Sequence, residues 1–333
     1  LQEVKALTLT LYEQFTAEQY ELLLTYLLGV QQLTLYSTKK SHCALSALLK
    51  AAQPLTLHSL VTFNKNGFHG YRDFNKTEDN LPDELWQLTT LKTLTISGFQ
   101  HICAISEEMG QLNALKSLTL QEMRSLKTLP ASLGQLENLE TLALRKLDSI
   151  TALPEKIGQL KALKSLKLNK MPSFKVLSAS FRQLDKLEKL FLWEPSNFIT
   201  SLPEEMSQLK ALKPLTLGDM KKLKALPASI GQLEKLEALT LEYLPSITAL
   251  PEAIGQVKAL KSLTLDTMPL LRALSASLGQ LENLEILTLE SLNNIIAPPE
   301  ELGQLKALKV VKLINMRKLV TLPERLAQIV VRR

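Results

Sequence analysis

The chain has 333 residues, a formal net charge of +6, 45% hydrophobic residues and only 5% aromatic ones. It is longer than one ordinary compact core, yet no shift in composition divides it, so a repeated architecture with an aliphatic core is expected. Two cysteines, Cys43 and Cys103, argue against a disulfide framework and suit a reducing compartment. No apolar run reaches the roughly 18 residues of a membrane span, and no classical signal peptide is visible at Leu1.

The first 80 residues read as degenerate repeats. "VKALTL" (Val4–Leu9), "VQQLTL" (Val30–Leu35) and "AQPLTL" (Ala52–Leu57) each have strand alternation. Thr16–Leu28 and Ala44–Ala51 have helical apolar spacing, and these helices are expected to cap the open end of the core. The segment from Val61 to Asn80 breaks the pattern as an inserted loop, gathering Phe63, Phe68, Tyr71 and Phe74 with two glycines. Its aromatics either plug a gap between mismatched coils or contact a partner.

From Leu81 the phrase "LPxxIGQLxxLxxLxLxxM" restarts every 24 residues, at Ile105, Leu129, Leu153 and Leu177. It slips by one residue to Leu202, then resumes at Leu226, Leu250, Leu274, Pro298 and Leu322. Residues 81–333 therefore form a regular array with one irregular coil at 187–202. Each LxxLxL ends in a short strand, and each LPxxIGQL is a helical or 3₁₀ segment whose proline suits its first turn. Counting the early repeats, thirteen strands are expected. Coils alternate in charge, as in "GQLENLE" (Gly134–Glu140) followed by "GQLKALK" (Gly158–Lys164). Glutamate is thereby placed beside lysine on neighbouring coils, an arrangement that reads as a solvated structural face.

These repeats resemble the leucine-rich repeat family, and in particular the repeats of bacterial effector proteins and of plant intracellular immune receptors. The resemblance implies a right-handed α/β solenoid, a horseshoe with a concave parallel β-sheet and a convex face of short helices or 3₁₀ segments. One departure stands out. Where the family has Asn or Cys after the strand, this chain has Met123, Leu147, Met171, Met220, Leu244, Met268, Leu292 and Met316. These are expected to enter the core, leaving the turn amides to find partners in water or the neighbouring coil.

The outward residue between the two strand leucines is usually threonine: Thr8, Thr34, Thr56, Thr95, Thr119, then Thr216, Thr240, Thr264 and Thr288. Ala143, Lys167 and Phe191 break the row in three consecutive coils, and Lys312 breaks it again. Residues two places away share that face. A basic and aromatic patch follows: Arg145, Lys146, Lys167, Asn169, Lys170, Lys189, Phe191 and Trp193. An acidic row of Glu242, Asp266 and Glu290 lies beside it, with Glu194 and Asp219 as further members. Trp193 is read either as a partner-binding anchor or as a cover over Pro195 and Phe198 in the irregular turn.

Catalytic constellations do not emerge. His42, His58, His69 and His101 share no metal-ligand spacing, and the glycines of "IGQL" form no phosphate-cradling loop. Cys43 is expected on a buried helix face and Cys103 at a small core position. "LPDELWQL" (Leu81–Leu88) has a superficial likeness to the start of an F-box, which the repeat register accounts for. Some bacterial repeat effectors carry a separate ubiquitin-ligase domain, and no stretch here is long and non-repetitive enough to be one. The expectation is a non-catalytic, monomeric protein-recognition scaffold without a cofactor. By resemblance it would be secreted by a bacterium into the host-cell cytosol to bind a host protein. The alternatives are nucleic-acid or phosphoinositide binding by the basic strip, and a purely structural scaffold.

Overall fold

The structure, a computed structural model, describes residues 5–10, 18–19, 30–37, 42–52, 57–64 and 80–332. Numbers and absences below refer to these residues. The chain forms two compact units, Leu1–Leu163 and Lys164–Arg333.

In the first unit, strands β1 (Ala6–Thr10), β2 (Gln32–Ser37), β3 (Ser59–Asn64), β4 (Thr93–Ser97), β5 (Ser117–Gln121) and β6 (Thr141–Arg145) pair in parallel, each with the next in sequence. Helix α1 (His42–Ala52) buries Leu45, Leu48, Leu49 and Ala52. From Asp83 onward the return segments are 3₁₀ turns: Asp83–Gln87, Glu107–Gln111, Ala131–Gln135 and Glu155–Gln159. The second unit continues the same plan with β7 (Ser165–Asn169), β8 (Lys189–Trp193), β9 (Pro214–Gly218), β10 (Ala238–Glu242), β11 (Ser262–Asp266), β12 (Ile286–Glu290), β13 (Val310–Ile314) and β14 (Val330–Arg332), again paired in order. Each unit is thus a solenoid of strand–turn–3₁₀ coils.

One coil shows how the sequence builds this. Leu136, Leu139, Leu142, Leu144, Leu147 and Ile150 point inward and are each 0% exposed. No coil can bury these residues alone, so stacking supplies the apolar contact. The glycine of "IGQL" is required where turns stack closely: a Cβ on Gly134 or Gly255 would collide with the backbone of the following coil, at Lys156 and Ser277. Lysine and glutamate meet between coils as expected, at 3.0 Å for Lys261–Glu237 and 2.8 Å for Lys309–Glu285.

The charge alternation has a second, structural partner. Turns that begin with Pro130–Ala131 and Pro227–Ala228 have no side-chain cap of their own. A glutamate of the preceding coil caps them. Glu107 accepts from the N–H of Ala131 (3.0 Å) and of Ser132 (2.7 Å), and Glu204 accepts from that of Ser229 (3.0 Å). Turns that begin with Ser178 and Ser275 cap themselves, accepting from Ser180 and Ser277. The N–H groups of Ser132 and then Ala131 hold the Glu107 carboxyl below its ordinary range.

The core substitution after each strand has a clear consequence. Met123, Leu147, Met171, Met220, Leu244, Met268 and Leu292 are all 0% exposed. The residue just before each of them adopts a left-handed conformation, from Glu122 (φ 58°) and Lys146 (53°) to Thr267 (47°) and Ser291 (52°). This turn aims its N–H at the next strand, as Glu194 does toward Gly218 (2.8 Å) and Thr267 toward Glu290 (3.0 Å). The neighbouring coil therefore satisfies the amides that an asparagine ladder would have held.

Several expectations need correction. Residues 53–56 of the expected Ala52–Leu57 strand lie outside the described residues; α1 runs through Ala52, and the strand that pairs with β2 is Ser59–Asn64. Its inward pair is Leu60 and Thr62, with Thr62 buried where the repeat has leucine, which disguised the register. Val61 stands in the outward row, opposite Thr34 and Thr95, and Thr56 lies outside the described residues. Val61–Asn64 belong to β3, and the rest of the 61–80 loop up to residue 79, like most of the Thr16–Leu28 helix, lies outside the described residues. Fourteen strands are present, because β14 follows helix α2 (Glu324–Ile329) directly. Met316 is only half-buried, unlike its seven counterparts, since its coil is the last regular one. Cys103 is also half-exposed, its thiol donating to the His101 carbonyl, while Ile102 and Ile105 take the core positions. The backbone of Cys43 lies in α1; its side chain is outside the described set.

Candidate recognition face

Strand alternation places residues one, three and five of each five-residue strand on the face away from the core. In the second unit these positions form two registered columns. Lys167, Phe191, Thr216, Thr240, Thr264 and Thr288 lie side by side, as do Asn169, Trp193, Gly218, Glu242, Asp266 and Glu290.

Phe191 and Trp193 are the aromatic members of these two columns, which otherwise hold threonine, glycine and charged or amide side chains. Their rings are stacked, with centroids 6.0 Å apart and planes inclined by 10°. Both remain half-buried. Trp193 extends over Gly218 of the next strand, where a Cβ would collide with its six-membered ring. Gly218 has an ordinary strand conformation, so its role is clearance and not backbone freedom. Asn169 donates to the Trp193 carbonyl at 3.4 Å, supporting the same strand from the other side. Of the two residues that the alternative reading placed under Trp193, Phe198 is 55% exposed and lines a cavity with Val176, whereas Pro195 is buried.

The charged members of the expected patch separate into two groups. Lys146 donates to Glu122 at 2.7 Å, and Lys170 stands 3.6 Å from Glu194, so both lysines and Glu194 belong to local ion pairs. Asp219 lies 3.9 Å from Lys221. These turn residues follow the strands in left-handed conformation and do not stand in the strand columns. Arg145 and Lys146 belong to the first unit, and Arg145 is exposed there at the end of β6. In the second unit Lys167 and Lys189 are exposed and have no ion-pair partner within that unit. Glu242, Asp266 and Glu290 form no salt bridge among the described residues, although exposed Lys312 of β13 shares their face beside the strand of Glu290. Partial burial, then repulsion from Asp266 and Glu290, pushes the Glu242 carboxyl above its ordinary range.

The irregular coil shapes this region. Its extra residue is stitched in: Ser196 is 3% exposed, forms an antiparallel bridge with Ser173, donates to the Pro172 carbonyl (3.3 Å) and accepts from the Phe198 N–H (2.8 Å). Pro214 lacks a donor, so β8 and β9 lose one ladder bond there. On the side of the 3₁₀ turns a cleft of about 510 Å³ opens between two of them, lined by Arg182, Glu204, Glu205, Ser207 and Gln208. Arg182 and Ser207 occupy the positions where tighter coils need glycine. Phe198 and the 56%-exposed Val176 line a second cavity of about 340 Å³. The sequence reading missed this apolar flank; the one-residue slip was its only signal. No group of three or more histidine, cysteine or acidic residues could hold a metal ion among the described residues. No described helix is long and apolar enough to cross a membrane.

A stacked parallel array with a threonine-lined face and a local aromatic step defines a leucine-rich repeat solenoid, a scaffold suited to protein interaction. Residues 70–193 match the family model described as a leucine-rich repeat region, and the same coil geometry continues beyond them. No curated protein matches the chain. Among solved structures, a leucine-rich repeat protein of Leptospira interrogans is 24% identical, with 96% of this chain and 91% of that one covered, at a TM-score of 0.43. The leucine-rich repeat domain of the type III effector XopL is also 24% identical, with 75% and 69% covered, at a TM-score of 0.35.

Proposed function

We propose that this chain is a non-catalytic protein-recognition scaffold that binds its partner on the strand face of the second unit, with Phe191 and Trp193 as anchors. The observation that carries the reading is the stacked, half-exposed aromatic pair on a face otherwise lined by threonine, glycine and charged or amide side chains. Core packing does not require aromatics there, because Thr216 and Thr288 hold the equivalent of the Phe191 position in sister coils. Large aromatics of this kind dominate interface energetics, and truncating one costs about 2 kcal/mol or more of binding. The likeness of the repeat phrase to bacterial effector repeats supports secretion into a host cell and a host-protein partner for a monomeric chain. Neutralisation of Lys146 and Lys170 by carboxylates weighs against the basic strip as a nucleic-acid or phosphoinositide site.

The test is affinity capture from host-cell lysate with the wild-type chain and a Phe191→Ala/Trp193→Ala variant, after circular dichroism shows equal folding. A protein retained by wild type and lost by the variant is expected. Equal retention by both would move the site off this face.

A further inference from the structure

The second-unit face is polar in a directional sense. Across the strands it passes from exposed Lys167 and Lys189 to the Phe191–Trp193 step, then to the bare floor at Gly218, then to Glu242, Asp266 and Glu290. With strands about 4.8 Å apart, the cationic edge and the far carboxylate are about 24 Å from one another. Elsewhere the protein pairs opposite charges from coil to coil, as in Lys213–Glu188 and Lys261–Glu237. On this face three carboxylates stand in register without a salt bridge, and the next cation along the sheet is the exposed Lys312 of β13, beside the strand of Glu290. Partial burial, and after it repulsion from Asp266 and Glu290, raises the Glu242 carboxyl above its ordinary range.

The chain supplies an internal comparison. Ile105–Glu194 and Leu202–Ser291 are two copies of the same four-coil block, with "ITALPE", "KALKSL" and "LPAS" recurring at equivalent places. Buried positions repeat between the copies, while the face positions change character. Glu242 stands where the first copy has Arg145, Asp266 where it has Asn169, Glu290 where it has Trp193, and Ile286 where it has Lys189. Since both versions sit on the same packed frame, packing does not dictate these side chains.

We infer that the sheet face from β7 to β12 receives one protein segment lying across the strands. Its acidic side chains lie over Lys167 and Lys189, and an apolar side chain rests against Phe191 and Trp193 above Gly218. Its lysines or arginines lie over Glu242, Asp266 and Glu290. This rests on the recognition reading above and adds the charge order of the partner. An extended segment spanning that distance needs about seven residues, and unpaired face charges of both signs fix its direction.

The test is selection of a phage-displayed random 16-residue peptide library on the full chain. Wild type is compared with Glu242→Lys/Asp266→Lys/Glu290→Lys and with Trp193→Ala, each checked for folding by circular dichroism and thermal melting. Wild type is expected to enrich peptides with acidic residues on one side of an apolar residue and basic residues on the other. A synthetic consensus peptide should bind the triple variant at least about tenfold more weakly, and selection on that variant should replace the basic half while keeping the acidic half. Enriched peptides without charge asymmetry, indifference to the triple variant, or no enrichment would each overturn the inference. Indifference to the triple variant with loss on Trp193→Ala would leave the aromatic site standing, whereas full binding by Trp193→Ala would remove the recognition reading itself. A salt-sensitive wild-type dimer in sedimentation would assign the face to a second copy and overturn the proposal.

Discussion

Gly218→Ala is the most discriminating single change, because it adds one methyl group at the point where Trp193 crosses the sheet. The backbone at residue 218 is outside the left-handed region, so alanine is allowed there and restricts the unfolded chain, a gain of about 0.4–1 kcal/mol. The added Cβ would overlap the Trp193 ring, so the indole must swing away. Breaking its stack with Phe191 costs about 0.5–1.5 kcal/mol. The two terms nearly cancel, and the melting temperature should move little while Trp193 moves substantially. Trp86 is 0% exposed and provides a constant background, which Trp86→Phe removes. In that background, Gly218→Ala should shift Trp193 emission to the red and raise acrylamide quenching. A double-mutant cycle sharpens the test, since the effect of Gly218→Ala on stability should become purely favourable once Trp193 is alanine. Unchanged emission and quenching would refute the placement of the indole over Gly218.

Three other perturbations probe the frame and its electrostatics. Glu242→Gln should stabilise the protein at neutral pH, because the raised folded pKa means that ionising Glu242 costs stability as pH rises through it. The gain should disappear below the ordinary carboxylate range, as denaturant unfolding at several pH values would show. Glu107→Gln acts in the opposite sense. The depressed carboxyl stabilises above its ordinary value of 4.5 and loses that contribution as pH falls through the folded value, so a cap loss of about 0.5–1 kcal/mol should appear at pH 7 and vanish in acid. Thr267→Gly relieves a left-handed β-branched residue worth about 1–2 kcal/mol against a glycine entropy cost of about 0.5–1. A net gain of up to about 1 kcal/mol is expected in urea unfolding, with Thr264→Gly in the adjoining strand as a destabilising control.

The sequence by itself determined the coil: a 24-residue beat, inward leucines, outward threonines and alternating charge all follow from short-range periodicity. It located the irregular coil and named Phe191 and Trp193, because a broken repeat is visible against its own background. It erred at β3, where Thr62 in a leucine position and a displaced Leu57 hid the register, since one strand offers too few residues for periodicity to choose. It also overcounted free charge. Lys146 and Lys170 look like Lys167 in one dimension, yet the left-handed turn residues meet Glu122 and Glu194 of neighbouring coils. Partners roughly a coil apart are set by stacking, and stacking is a tertiary property. The same holds for Trp193 over Gly218, Glu107 capping Ser132, and the exposure of Phe198 beside Val176. Each depends on how far one coil is shifted against the next, and the extra residue stitched in at Ser196 alters that shift locally.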